Sequence, residues 1–262
     1  MPKGEWAVVT GASSGIGRAF AKRLAESGTH LFMIALEKEE LEKLAKTLRE
    51  DYPIQTEWRA VDLSSEGAVR QVITDMEEKR MDVAMLINAA GFGYFGEFLS
   101  MSLGQIEKMV QVNVLALIEL CYYILPKLKS RGGGTLINIA SIAGHLPYPY
   151  AAVYAASKSM VHSFTKALWA ENRDPAVRII SLSPGHTKTN FDHISKEPGG
   201  IHLFPDEDPE VIAKTTLERI SSRRCTVFTR PTHILKVQSA RLLPIKLFAW
   251  MLRGLANKAN RP

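Results

Sequence analysis

The chain has 262 residues, 46% of them hydrophobic and 23% charged, with a net charge of +6, which supports a single domain, 1–262, with an ample core. Its basic residues are spread along the chain, which argues against a nucleic-acid partner while suiting an anionic small ligand. Two cysteines, Cys121 and Cys225, exclude a disulfide framework and point to a reducing, cytoplasmic compartment; the first strand begins almost at once, so no signal peptide is expected.

Residues 6–17 read WAVVTGASSGIG, a short apolar run followed by glycines at 11, 15 and 17, and a helical pattern continues through RAFAKRLAESG. Strand, glycine turn and helix in this order suit a pyrophosphate: Gly11 permits the turn, Gly15 and Gly17 allow close approach, and the helix amides face the anion. Further strand-like runs lie at 30–35, 54–61, 83–88, 135–140, 177–183 and 225–229, with helical patterns at 38–50, 66–79, 105–129 and 151–172. The alternation predicts an α/β fold, a doubly wound parallel sheet with helices on both faces.

Tyr154 and Lys158 stand at i and i+4, one face of the helix predicted over 151–172, and Ser141 precedes the tyrosine by thirteen residues. A lysine held against a phenol favours the phenolate and lowers its pKa, as a general acid or base requires. Tyr123 and Lys127 repeat the spacing, but that pair straddles Pro126, which disrupts helical hydrogen bonding, and Val110 stands thirteen residues before it.

Thr10-Gly11-Ala12-Ser13-Ser14-Gly15-Ile16-Gly17, Asp62-Leu63, Asn88-Ala89-Ala90-Gly91, Asn113, Ser141, Tyr154-Ala155-Ala156-Ser157-Lys158 and Pro184-Gly185 with Thr189 follow one another in order. In these motifs the chain resembles the short-chain dehydrogenase/reductase family over residues 5 to about 190. Ala89 departs from the pattern, which usually has a second asparagine. The resemblance implies a Rossmann fold in which Tyr154 is the catalytic acid/base. Lys158 would depress the tyrosine pKa and hold the nicotinamide ribose, and Ser141 would polarise the substrate oxygen. Asn113 would sit at a helix distortion and hold a water. Gly11, Ser13, Ser14, Gly15, Ile16 and Gly17 would cradle the pyrophosphate. Asp62 and Leu63 would meet the adenine, and Asn88, Ala89 and Gly91 the adenine-side ribose. Pro184, Gly185, Thr187 and Thr189 would hold the nicotinamide carboxamide. A helix cap is the other reading of Asp62, although Ser64 and Ser65 suit that role better.

The cofactor is NAD or NADP. Glu37 follows the second strand and Ser14 precedes the second glycine, so no basic residue stands at either place for a 2′-phosphate; Glu37 would accept the ribose hydroxyls, which favours NAD. Around the substrate, the segments Ala143 to Tyr150, Phe92 to Phe98 and the insertion at 189–224 carry Phe92, Tyr94, Phe95, Leu146, Tyr148, Phe191 and Phe204. These predict an apolar pocket for a hydrophobic ketone or secondary alcohol. His145, His186 and His193 lie in the same loops without ligand-like spacing, so no metal is expected.

Residues 239–262 are apolar and carry only basic charges. They are too short and too charged to span a bilayer, and suit a peripheral membrane contact or packing on the domain or a second subunit. The resemblance implies a homo-oligomer, dimer or tetramer, built through the helices at 105–129 and 151–172. Hydride transfer is the function expected. A non-catalytic dinucleotide-binding sensor or scaffold is the alternative, and such a relative would be expected to lose Tyr154 or Lys158; both are present.

Overall fold

The computed structural model describes residues 4–187, 206–222 and 224–242, with residues 244, 246–248, 250 and 254 beyond them. Its strands are β1 (Trp6–Thr10), β2 (His30–Ala35), β3 (Thr56–Ala60), β4 (Val83–Asn88), β5 (Gly134–Ile139), β6 (Val177–Ser183) and β7 (Thr226–Phe228). They form one sheet in the order β3-β2-β1-β4-β5-β6-β7, every neighbouring pair parallel. The topology reverses direction between β1 and β4, where such sheets bind ligands at their carboxyl ends.

Strands buried on both faces read as continuous apolar runs, and successive side chains alternate between the faces. On one face Ala7, Val9, Leu31, Met33, Met85 and Ile87 meet Phe20 and Leu24 of α1 (Gly15–Glu26) and Leu41 and Leu44 of α2 (Lys38–Asp51). On the other, Val8, Phe32, Ile34 and Leu86 meet Val69, Val72 and Met76 of α3 (Ala68–Glu78), and Leu117, Leu120 and Ile124 of a later helix. Each fully buried side chain of this size contributes about 1.5–3 kcal/mol, and the two layers clamp the sheet that carries the site.

The helix predicted over 105–129 is three pieces: α4 (Leu103–Val110), a π turn (Gln111–Leu115) and α5 (Ala116–Ser130). The π turn falls on Asn113. α5 runs through Pro126, which has no N–H to give the helix. Tyr122, whose carbonyl loses its partner, is 74% exposed, so water can serve that oxygen. Lys127 is turned out to Glu77, 2.8 Å away. Leu103–Ser130 is long and apolar enough to cross a membrane, but α5 spends its apolar stripe on the sheet.

Helix α3 starts two residues later than predicted. Its cap is Gly67, with φ of 73°, and neither Ser64 nor Ser65 fills that place. Beyond α6 (Ala152–Glu171), two helices were not anticipated: α7 (Pro209–Glu218), inside the segment read as an insertion, and α8 (Pro231–Leu242). The first is capped by Asp208, whose side chain accepts from Glu210 N at 2.8 Å, and begins with proline. It lays Ile212 and Ala213 on the α1 layer.

Candidate active site

The β1–α1 turn is built for close approach. Gly11 has φ of 65°, and a Cβ on Gly17 would stand 2.2 Å from the Gly11 carbonyl oxygen. Thr10, absent from the predicted site, ties this turn to the end of β4: its hydroxyl accepts from Ala89 N and Ala90 N, each at 3.0 Å. Ser14 occupies the cap position of α1 without a side-chain capping bond, so its hydroxyl leaves the first amides of the helix to another acceptor. A dinucleotide pyrophosphate fits that donor set. Ile16 packs on the core beneath the turn.

Ser13 donates to Glu37 at 2.7 Å, so the carboxylate after β2 closes the rim of the turn. Arg18 and Lys38 face Glu40 and Glu42 at 3.4 and 3.7 Å. Asp62 accepts from Ser64 N at 2.9 Å, Ser64 Oγ at 2.7 Å and Lys108 Nζ at 2.8 Å. Burial pushes this carboxyl up, but the Lys108 and Ser64 hydrogen bonds outweigh it and hold it down at about 2.

Two adenine-side residues turn their side chains inward. Leu63 is a core side chain packed with α3, leaving only its backbone for a ligand. The Asn88 amide turns inward, donating to Asn138 Oδ1 at 2.9 Å, and Asn138 donates to Thr165 Oγ1 at 3.0 Å. An inward-facing side chain at the end of a fully buried strand is used to tie β4, β5 and α6 together. Burial pushes the Cys121 thiol beside them up to about 12, which leaves it inert as a nucleophile.

Asn113 is fully buried, and its π turn aims its amide at the segment after β4. Oδ1 accepts from Phe92 N at 3.0 Å, while Nδ2 donates to Phe92 O at 2.9 Å and to Ser157 Oγ at 3.0 Å. Gly91 lies where a Cβ would stand 2.9 Å from Asn113 Oδ1 and 3.3 Å from Lys158 Nζ. Ser157, itself bonded to Tyr154 O at 2.7 Å, is a second residue the motif reading did not single out.

Ser141 stands two residues after β5, where its hydroxyl accepts from Ala143 N at 3.2 Å and is hydrogen-bonded to Tyr154. Lys158 donates to Ile139 O at 2.9 Å, with Nζ 6.0 Å from the Tyr154 ring centre. The expectation of a net lowered phenol pKa is corrected, because burial outweighs any pull on it. Burial pushes Tyr154 up to about 12, against a smaller downward pull from Ser141, and burial brings Lys158 down to about 8.

Phe92, Tyr94, Phe95 and Tyr148 gather around Tyr154 with Met109, Ala143 and Ala151. The two pocket loops meet where Gly96 N donates to Tyr150 O at 2.7 Å. His145 instead turns inward, 2.9 Å from Ser183 Oγ and tilted against His162 with ring centres 4.2 Å apart. His186 faces Asp206 at 2.8 Å. Among the described residues no three His, Cys, Asp or Glu side chains gather to hold a metal. After β6, Pro184 O accepts from Ile142 N at 3.0 Å, and Thr187 Oγ1 donates to Gly185 O at 3.2 Å. Thr189, Phe191, His193 and Phe204 lie outside the described residues.

A doubly wound sheet with a glycine turn and a buried Ser–Tyr–Lys cluster at the same carboxyl edge defines a dinucleotide-dependent oxidoreductase. The short chain dehydrogenase family model matches residues 5–198, and the chain belongs to that family of NAD(P)-dependent oxidoreductases. It is 29% identical over 223 residues to the very-long-chain 3-oxoacyl-CoA reductase of Homo sapiens, covering 83% of this chain and 69% of that protein. A short-chain dehydrogenase from Sphingobium yanoikuyae in complex with NADPH superposes with a TM-score of 0.81 at 25% identity, over 90% of this chain and 93% of that one. One from Burkholderia phymatum in complex with NAD gives 0.79 at 26% identity, over 90% and 92%.

Proposed function

We propose that this enzyme transfers hydride between NAD and a hydrophobic ketone or secondary alcohol, with Tyr154 as the acid or base. The observation that carries the reading is the Tyr154 hydroxyl, hydrogen-bonded to Ser141 and set in the aromatic cluster of Phe92, Tyr94, Phe95 and Tyr148. In reduction Tyr154 gives its proton to the carbonyl oxygen, Ser141 holds that oxygen in place, and the Lys158 charge favours the developing phenolate. In oxidation the same phenol accepts the alcohol proton. The nicotinamide, when bound, supplies or accepts the hydride.

The chain's own residues account for holding it. The backbone of Ser13 to Gly17 takes the pyrophosphate, Asp62 and the backbone after β4 take the adenosine end, and Lys158 takes the nicotinamide ribose. The turn at Pro184 to Thr187, with Thr189, takes the carboxamide. Glu37 supports NAD over NADP, because a carboxylate at the end of β2 accepts ribose hydroxyls and repels a 2′-phosphate.

The substrate class we favour is the 3-oxoacyl thioester with a long chain. It presents a ketone to Tyr154 and an alkyl chain to the aromatic loops, and the human relative is named for such a reaction. NADH-dependent reduction across 3-oxoacyl thioesters of increasing chain length, steroid ketones and sugars tests this. Rates that rise with chain length support it, whereas turnover confined to sugars contradicts it.

Two finer readings concern the surroundings. Tyr122, Met160 and Trp169 expose large apolar surface on α5 and α6, which supports a homo-oligomer. Residues 219–262 hold ten Lys and Arg and no Asp or Glu, and Leu235, Leu242 and Trp250 are exposed there. That pattern supports a peripheral contact with an anionic membrane surface.

A further inference from the structure

Glu207 is a carboxylate only 4% exposed, one residue before the cap of α7. Taking an ion out of water costs several kcal/mol unless donors replace the lost hydration, so the donors around it identify what it holds. Oε2 accepts from Gly185 N at 2.8 Å and from Thr229 Oγ1 at 2.6 Å. Oε1 accepts from Thr229 Oγ1 at 2.8 Å and faces Arg230 Nε at 3.0 Å, with His233 Nε2 4.0 Å away. The backbone reinforces the contact, because Glu207 N donates to His186 O at 2.8 Å and Thr187 pairs with Glu207 in a parallel bridge.

Three segments therefore meet on one carboxylate: the turn after β6, the residue before α7, and the residues from the end of β7 into α8. The turn needs such a partner because residues 184–187 have left the sheet. Gly185 has its amide on the carboxylate, and a Cβ there would stand 2.8 Å from His233 Cε1. The same turn reaches the Ser141 loop through Pro184 O and Ile142 N.

We propose that Glu207 is a positioning residue that holds the Gly185–Thr187 turn at the nicotinamide end of the cofactor site, with Thr229, Arg230 and His233 fixing the carboxylate. This rests on the reading that the turn receives the nicotinamide carboxamide. A charge-assisted acceptor on Gly185 N–H fixes the turn's height above the sheet, and so fixes the donors it offers to the nicotinamide while leaving the pyrophosphate and adenosine ends untouched.

Calorimetric titration with NAD and with ADP-ribose, which lacks the nicotinamide, separates positioning from general support. Glu207→Ala is expected to weaken NAD by at least about tenfold and to leave ADP-ribose within about twofold of wild type. Glu207→Gln keeps an acceptor for Gly185 N–H and is expected to fall between the two. Thr229→Val, which leaves the carboxylate in place, is expected to follow the same order with a smaller loss. Equal losses for both ligands in these variants, or undiminished NAD binding, would overturn the proposal while the dinucleotide site itself stands. Wild-type protein that binds ADP-ribose but gains nothing from the nicotinamide would remove the reading of the turn and the proposal with it.

Discussion

The Lys158 ammonium donates to the Ile139 carbonyl, 2.9 Å away at the end of β5, and Tyr154 reaches Ser141 instead. The tyrosine and lysine share a helix face without sharing a hydrogen bond, and burial separates their titrations: about 8 for the lysine and about 12 for the phenol. Over the neutral range Tyr154 carries its proton and is poised to donate it. Lys158 acts through its charge, which lapses as pH passes its own pKa.

Carbonyl reduction should therefore fall as pH rises through about 8, measured as kcat/KM from about pH 6 to about pH 10. Lys158→Met should give a lower rate without that inflection. The folded pKa of Lys158 lies below its ordinary 10.5, so the unfolded chain binds more protons between the two values and stability rises with pH across that window. The same variant should flatten that slope in denaturant unfolding. An inflection near 8 that survives in the variant would assign it to another group.

Asn113→Ala removes an amide with three hydrogen bonds and leaves the Phe92 amide and the Ser157 hydroxyl without that partner. A loss of about 2–4 kcal/mol in unfolding free energy is expected, with reduced turnover because the segment after β4 loses its clamp. Unchanged stability would mean that the π turn holds this geometry by backbone alone.

Glu37→Ala should lower the preference for NAD over NADP by at least about tenfold in kcat/KM, since it removes a ribose acceptor and a charge that opposes a phosphate. An unchanged ratio would place cofactor selection elsewhere.

Full-length protein should pellet with vesicles containing anionic lipid and lose that association at high salt, while protein lacking residues 242–262 should stay in the supernatant. Equal pelleting of both would refer the tail to a subunit or to its own domain.

Much of this site was legible because buried parallel strands read as largely apolar runs; 30–35, 83–88 and 177–183 coincide with β2, β4 and β6. The glycine turn and the Ser–Tyr–Lys spacing are local in sequence and keep their relation in space. What escaped was long-range. Glu207 meets Gly185 and Thr229 across 22 residues in each direction, and nothing in a lone acid within a loop announces those partners. The inward turn of Asn88 depends on Asn138, 50 residues on. Helix α7 carried its signals, Asp208 and Pro209, inside a segment whose other residues read as loop.

The net upward shift of the phenol was also hidden, because spacing on a helix reports proximity of side chains and says nothing of desolvation. Burial dominates both titrations, and only the packed structure shows it.

The most direct test is Tyr154→Phe, which keeps the ring against Phe95 and removes only the hydroxyl. Turnover of any accepted carbonyl should fall by at least about a hundredfold, with the NAD dissociation constant within about twofold of wild type. A variant that turns over at an undiminished rate would show that the proton comes from another group.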